Sequence, residues 1–477
     1  MNRKTQLSLI RPFMLFALTL LVAGGVSAGP RERDVRKQTA LDRYVFKPDS
    51  NFSYNLVNTI RSAGYTAFVL ELTSQQWRTA DEVDRPLWKH WLTIVQPDQV
   101  NTSTGFLLIN GGRNGGRMPT TADAIITSMA VGTHAVVADL RMVPNEPLIL
   151  KEEGKSRTED AIIAYSWEKF LKTGDETWPL RLPMTKAAVR ALDTITAFCG
   201  SAERGSVKVD KFVVAGGSKR GWTTWTTAAV DDRVVAIIPI VIDCLNTQKS
   251  LDHHFRSYGF WAPAISDYSN LHSWSGTPEY AALMKIEDPY FYRERLTMPK
   301  LIMNSTGDQY FLPDSSQFYY DDLRGEKYLR YVPNTQHDLR NSDAINSVHA
   351  FFESVVSGSA RPRFTWKFEK DGSITVQTKD QPTEVKLWQA TNLKARDFRL
   401  EKIGAAYKSS VLTAEKAGTY RGRVAAPAEG FTAYFVELTF ASAGKYPFKM
   451  TTGVRVTPDR LPFPLPKKEA AAAQTTR

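Results

Sequence analysis

Lys211-Phe212-Val213-Val214-Ala215-Gly216-Gly217-Ser218-Lys219-Arg220-Gly221-Trp222 decides how the rest of this chain is read. Lys211 to Ala215 is a short β-branched and aromatic run of the kind that forms a buried strand. It passes straight into two glycines, a serine and the start of a helix. A strand, a tight turn with serine at its apex and a helix together make the setting of a nucleophile elbow. So sharp a turn leaves little room two residues either side of the serine. Gly216 meets that demand on one side. Arg220 departs from the G-x-S-x-G pattern on the other, with Gly221 one place later. A glycine-rich turn with an incidental serine would fit the same letters.

A serine hydroxyl needs a base, and the base needs an orienting acid. On this type of sheet the expected chain order is serine, acid, histidine. Asp308 follows the apolar run Lys300-Leu301-Ile302-Met303-Asn304, and His337 follows Lys327-Tyr328-Leu329-Arg330-Tyr331-Val332. Both therefore fall at C-terminal strand ends, where Ser218 is also expected. Asp243, after the run Val234 to Ile242, is an alternative acid, and Asp314 a lesser rival. For the oxyanion hole, one donor is the N–H of Lys219. The other is expected in the loop Asn110-Gly111-Gly112, where glycines let backbone N–H groups approach a developing charge. His253, His254 and His272 are further candidates to line a pocket.

Outward from the elbow, strand-like and helix-like stretches alternate. Thr66 to Leu72, Trp91 to Val95, Gly105 to Ile109 and His134 to Asp139 read as strands, with helices at Thr121 to Val131, Lys186 to Phe198 and Asp343 to Val356. Short apolar runs separated by helices imply parallel strands buried on both faces. The expected class is α/β, with an α/β-hydrolase-type, mostly parallel sheet and helices on both faces. Residues 246–298 interrupt the rhythm with a dense set of aromatics, which are expected either to cap a pocket or to make a small core under a long loop. After Gly358 to Pro362 the pattern changes to alternating runs such as Phe364 to Phe368 and Thr432 to Phe440, which predict a C-terminal antiparallel, β-sandwich-like domain. The expected divisions are a leader at 1–28, a main domain at 40–358, a β domain at 361–460 and a disordered tail at 465–477.

The 477 residues are 42% hydrophobic and 23% charged, an ordinary globular balance. Arg3, Lys4 and Arg11, the apolar run Phe13 to Val22 and the small residues Val26 and Ala28 read as a signal peptide cut after Ala28. That places the chain in the periplasm or outside the cell, with no transmembrane span after cleavage. The net charge of +11 suits anionic partners, though no nucleic-acid motif is found. No cofactor is expected. The glycine loop lacks a following Walker lysine, and the adjacent residues Asp252, His253 and His254 make a poor metal set without further ligands. Cys199 and Cys244 are expected at opposite edges of the sheet, as two free thiols.

Several motifs resemble one family. They are Leu70-Glu71-Leu72-Thr73-Ser74-Gln75 with Trp77, Trp88-Lys89-His90-Trp91, Gly111-Gly112, Trp178-Pro179-Leu180 with Pro183-Met184, Gly217 to Trp222, and Gly307-Asp308 with Phe311-Leu312-Pro313-Asp314. This pattern resembles the PhoPQ-activated pathogenicity-related proteins, α/β hydrolases of the bacterial envelope. The resemblance spans nearly all of residues 40–455 and is most specific at Ser218-Lys219-Arg220-Gly221-Trp222. It implies a triad at Ser218, Asp308 and His337 and, by the family name, regulated expression in pathogens. The basic elbow is also loosely similar to that of glucuronoyl esterases, which implies acidic-sugar esters. The expected activity is cleavage of a carboxylic ester or amide, in a small molecule or a polymer, anionic or neutral, with Trp222, Trp261 and Trp274 as pocket walls. The rival expectation is a non-catalytic binding or signalling protein on the same scaffold.

Overall fold

A computed structural model describes residues 38–466; the expected leader and nearly all of the expected tail lie outside them. The chain opens with helix α1 (Ala40–Phe46) and the antiparallel strands β1 (Ser53–Ser62), β2 (Tyr65–Gln76) and β3 (Leu87–Pro97). Next come β4 (Thr104–Ile109), α2 (Ala124–Thr133), β5 (Val137–Leu140) and a small hairpin of β6 (Leu148–Leu150) and β7 (Lys155–Arg157). Helices α3 (Glu159–Thr173) and α4 (Arg181–Gly200) lead to β8 (Lys211–Gly217), α5 (Lys219–Val230) and β9 (Val234–Ile240). The insertion carries α6 (Thr247–Tyr258), α7 (Pro278–Glu287) and two 3₁₀ segments, Pro263–Trp274 and Pro289–Arg295. Strands β10 (Lys300–Ser305) and β11 (Lys327–Val332) and helix α8 (Ala344–Ser357) complete the α/β part.

Strands β5, β4, β8, β9, β10 and β11 lie side by side in that order, and every neighbouring pair among them is parallel. This is the α/β-hydrolase fold. Both faces are covered, so side chains on one strand alternate between two cores. Phe212 and Val214 enter the core with α3, α4 and α5, whereas Val213 and Ala215 enter the core with α2 and α8. Burying each large apolar side chain stabilises the fold by about 1.5–3 kcal/mol. One strand edge differs from the sequence reading. His134 is the left-handed C-cap of α2, at φ +51°, and the strand begins only at Val137. Cys199 and Cys244 are free and buried.

The C-terminal strands are antiparallel: β12 (Phe364–Phe368), β13 (Ile374–Thr378), β14 (Glu384–Asn392), β15 (Lys408–Val411), β16 (Thr419–Gly422), β17 (Phe431–Phe440), β18 (Phe448–Thr451) and β19 (Arg455–Thr457), with the short helix α9 (Leu400–Ile403). β12, β13 and β16 form a separate three-stranded sheet. Its Ile374, Val376 and Tyr420 share a core with Val436 and Leu438 of β17. The sequence reading separated this region from the main domain. In the structure β18 pairs with β11, Leu329 opposite Thr451, so β18, β17, β14 and β15 continue the central sheet. Arg330, buried on β11, pairs with Glu437 on β17 across the same junction.

Candidate active site

The turn between β8 and α5 puts Ser218 at φ +59° and ψ −127°, a strained conformation for a residue with a side chain. Packing holds it there. The Ser218 N–H donates to the Ile240 carbonyl at 2.8 Å, and its own carbonyl accepts from Trp222 N at 2.9 Å. A Cβ on Gly216 would stand 2.6 Å from the Arg220 carbonyl oxygen; one on Gly221 would stand 2.8 Å from those of Gly216 and Ile240. Helix α5 is rich in threonine, a modest helix former. Thr223, Thr224 and Thr227 return their hydroxyls to carbonyls four residues back, and the buried Trp225 anchors the helix.

Asp308 and His337 follow β10 and β11 and meet. His337 Nδ1 lies 2.8 Å from Asp308 Oδ2, while Asp308 Oδ1 accepts from the N–H groups of Tyr310 and Phe311 at 2.8 and 3.4 Å. Both carboxylate oxygens are thus held, and the carboxylate assigns the imidazole proton to Nδ1. Nε2 is left as an acceptor. Among the described residues it is buried without a partner, and no protein group hydrogen-bonds the Ser218 hydroxyl. Gly307 permits the approach of the two loops, since a Cβ there would stand 2.7 Å from the Thr335 carbonyl.

A cavity of about 450 Å³ opens at Ser218. Trp222 and Trp261 line it, as does His272, which stacks on Trp261 with ring centres 3.8 Å apart. Burial pushes the His272 imidazole down to about 4. Trp274 is not among the lining residues; it ends a 3₁₀ segment and packs against the larger core instead. Tyr310 and Phe311, which the sequence reading missed, line the cavity and pack against the His337 ring, with ring centres 4.4 and 6.0 Å apart. Their place directly after Asp308 was the available signal.

The other candidates separate cleanly. Asp243 accepts from the hydroxyls of Tyr319 and Tyr331, each at 2.6 Å, and burial pushes its carboxyl up to about 7. It is therefore engaged away from His337. Asp314 and His253 pair at 3.0 Å, and Arg396 adds a bond to Asp314 at 2.5 Å, all three buried. Burial opposes this charge, but Arg396 and His253 outweigh it and hold the Asp314 carboxyl well below the usual range. His254 accepts from Ala262 N at 3.0 Å, and burial pushes it down to about 3. Asp252 instead accepts from Gln248, so the triplet 252–254 points to three different partners.

In the glycine loop, the Gly111 N–H is taken by the Asn110 side chain at 2.9 Å. Gly112, at φ +143°, packs over Met142. Lys219 is the first residue of α5, and first-turn N–H groups have no partner within their own helix. Its ammonium, nearly buried, pairs with Glu159 and Asp160. Beneath it, Arg181 and Glu287 form a fully buried pair, and Arg181 Nη1 donates to the Lys219 carbonyl at 2.6 Å.

The model of the PhoPQ-activated pathogenicity-related protein family matches residues 41–399. The chain belongs to that family. Autocrine proliferation repressor protein A of Dictyostelium discoideum is 36% identical over 456 residues, covering 89% of this chain and 92% of its own. Two solved structures are also similar. Acetyl xylan esterase 1 from Thermoanaerobacterium sp. JW/SL YS485 has 12% identity, a TM-score of 0.45, and 66% of this chain and 92% of its own covered. Acetyl xylan esterase from Paenibacillus sp. R4 has 13% identity, a TM-score of 0.46 and the same coverage.

Proposed function

We propose that this protein is an exported serine hydrolase that cleaves a carboxylic ester or amide through Ser218, His337 and Asp308. The observation that carries the reading is the Asp308–His337 hydrogen bond, formed at the ends of β10 and β11. It lies on the same edge of the sheet as the strained Ser218. Ser218 Oγ attacks the substrate carbonyl carbon, forming a C–O bond, and its proton passes to His337 Nε2. Asp308 holds the resulting imidazolium. The oxyanion is received by the Lys219 N–H and by a donor of the Asn110–Gly112 loop, where Gly112 is the better candidate because the Gly111 N–H is occupied. The bond to the leaving group then breaks, and that group takes the proton from Nε2. Water, deprotonated by the same nitrogen, attacks the acyl-enzyme and frees the acid and Ser218.

The export half rests on the basic and apolar start of the sequence, ending at Ala28. Among the described residues no helix is long and apolar enough to cross a membrane.

The test is labelling of the purified protein with a fluorophosphonate, in which the serine oxygen displaces fluoride from phosphorus. Labelling of the wild type that vanishes in Ser218→Ala supports the hydrolase. A folded wild type that takes no label overturns it and favours a binding protein on this scaffold.

A further inference from the structure

The cavity at Ser218 is closed on one side by a piece of chain remote in sequence. Leu465 and Pro466 line it together with residues of the insertion. The strap Leu461–Pro466 is seated at one place. Phe463 N donates to the Arg256 carbonyl at 3.0 Å, near the end of α6. The Phe463 ring lies over Gly259, where a Cβ would stand 2.8 Å from two of its ring carbons. Gly259, the C-cap of α6 at φ +77°, thus does two jobs: it ends the helix and makes room for the ring. Phe463 and Leu465 are still 43% and 46% exposed. The strap therefore offers apolar surface at the cavity rim that the other described residues do not cover.

We propose that this strap is the wall that sets substrate size, and that the substrate is a compact, largely apolar ester or amide rather than the interior of a polymer. The proposal rests on the reading of Ser218 as nucleophile. A volume of about 450 Å³ falls in the range of small-molecule sites, roughly 300–1,000 Å³. Trp167, Trp222, Tyr280 and Phe311 make the inner walls apolar. Each cation at the cavity already faces a carboxylate: Lys219 pairs with Glu159 and Asp160, and Arg181 pairs through Nε with Glu287, although Arg181 Nη2 has no hydrogen-bond partner among the described residues. A substrate with a large anionic moiety would find the charge of each of these cations already offset by a carboxylate. Leu465 lines the same cavity as Ser218 and so narrows the room that a chain polymer would need there.

The experiment compares four proteins: wild type, chains stopped after Pro466 and after Arg460, and full-length Leu465→Ala. Each is given 4-nitrophenyl acetate, butyrate, hexanoate and octanoate, and each is labelled with fluorophosphonate to count active sites. The ratio of kcat/KM for octanoate over acetate should rise about tenfold or more when the chain stops after Arg460, and about threefold in Leu465→Ala. It should not move when the chain stops after Pro466. Labelled, active proteins whose ratio is the same in all four overturn the proposal and leave the nucleophile intact. If the shortest chain aggregates, Leu465→Ala decides alone. A wild type that takes no label overturns the nucleophile reading, and this proposal with it.

Discussion

Arg220 forks onto Glu159: Nη2 reaches Oε1 at 2.9 Å and Nη1 reaches Oε2 at 3.2 Å. Its Nε also donates to the Val143 carbonyl at 2.5 Å. The side chain passes under Gly111, where a Cβ would stand 2.8 Å from Nη2. An arginine two places after the apex is thus compatible with a tight elbow, because it turns out toward these loops. The close packing falls to Gly221 instead. The break in the serine motif is a tether between the elbow and the loops after β4, β5 and β7.

Arg220→Ala should therefore lower stability by about 2 kcal/mol in denaturant titration. Arg220 is largely buried but Glu159 is 43% exposed, so the loss lies between the 0–1 kcal/mol of exposed pairs and the 3–5 kcal/mol of buried ones. Arg220→Lys should recover little of it, since an ammonium cannot fork onto a carboxylate.

Asp308→Asn should lower kcat on 4-nitrophenyl acetate by about 10⁴-fold. The amide can keep its bond to Tyr310 N but turns an N–H toward His337 Nδ1. That forces the proton to Nε2, which then cannot accept one from the proposed nucleophile. Asp243→Asn should leave kcat within about threefold, since its carboxyl bonds two tyrosines and not the imidazole. The reverse ranking would make Asp243 the orienting acid.

The placement of the candidate residues Ser218, Asp308 and His337 at strand ends was legible because each follows closely on an apolar β run, and strand ends fix where such residues emerge. The pocket was less legible. Trp261 and Trp274 are equally aromatic, and only the packing of the 3₁₀ segment Pro263–Trp274 decides which one faces the cavity. The junction of β11 with β18 was invisible, because strands pair through the backbone and leave no side-chain code at Leu329 and Thr451. Leu465 was also invisible: a wall supplied from more than 200 positions beyond the serine follows no periodicity.

Arg396→Met should cost about 3–5 kcal/mol, the usual loss when one partner of a buried pair is removed. Asp314 and His253 would remain buried with their charge balance broken. Because the folded-state Asp314 carboxyl is held low, its contribution is present above the unfolded value near 4 and is lost as pH falls below it. Wild-type stability should fall steeply below pH 4. In Arg396→Met that acid slope should be shallower in thermal melts.

Asp243 works in the opposite sense. Its folded-state carboxyl is raised from 3.8 to about 7, so the fold prefers it protonated. Its contribution is complete below pH 4, declines as pH rises toward 7 and changes no further above that. Asp243→Asn cannot ionise. Its stability relative to wild type should rise between pH 4 and 7 by a few kcal/mol and then stay level. A difference independent of pH would show that Asp243 is ionised throughout.

Gly216 and Gly217 are neighbours in sequence, yet the elbow should treat them oppositely. A Cβ on Gly216 meets the Arg220 carbonyl carbon and oxygen at 2.7 and 2.6 Å. Those atoms are backbone, so no rotamer change relieves the clash; the first turn of α5 must move, and Ser218 moves with it. Gly217 has nothing within 4 Å of the same added atom, and its φ is not positive. Gly216→Ala should lose about 3 kcal/mol, at the upper end of ordinary overpacking, and should label with fluorophosphonate at least tenfold more slowly than wild type. Gly217→Ala should stay within about 0.5 kcal/mol and keep a folded elbow. If both variants label at the wild-type rate, the strain at Ser218 is not what presents its hydroxyl.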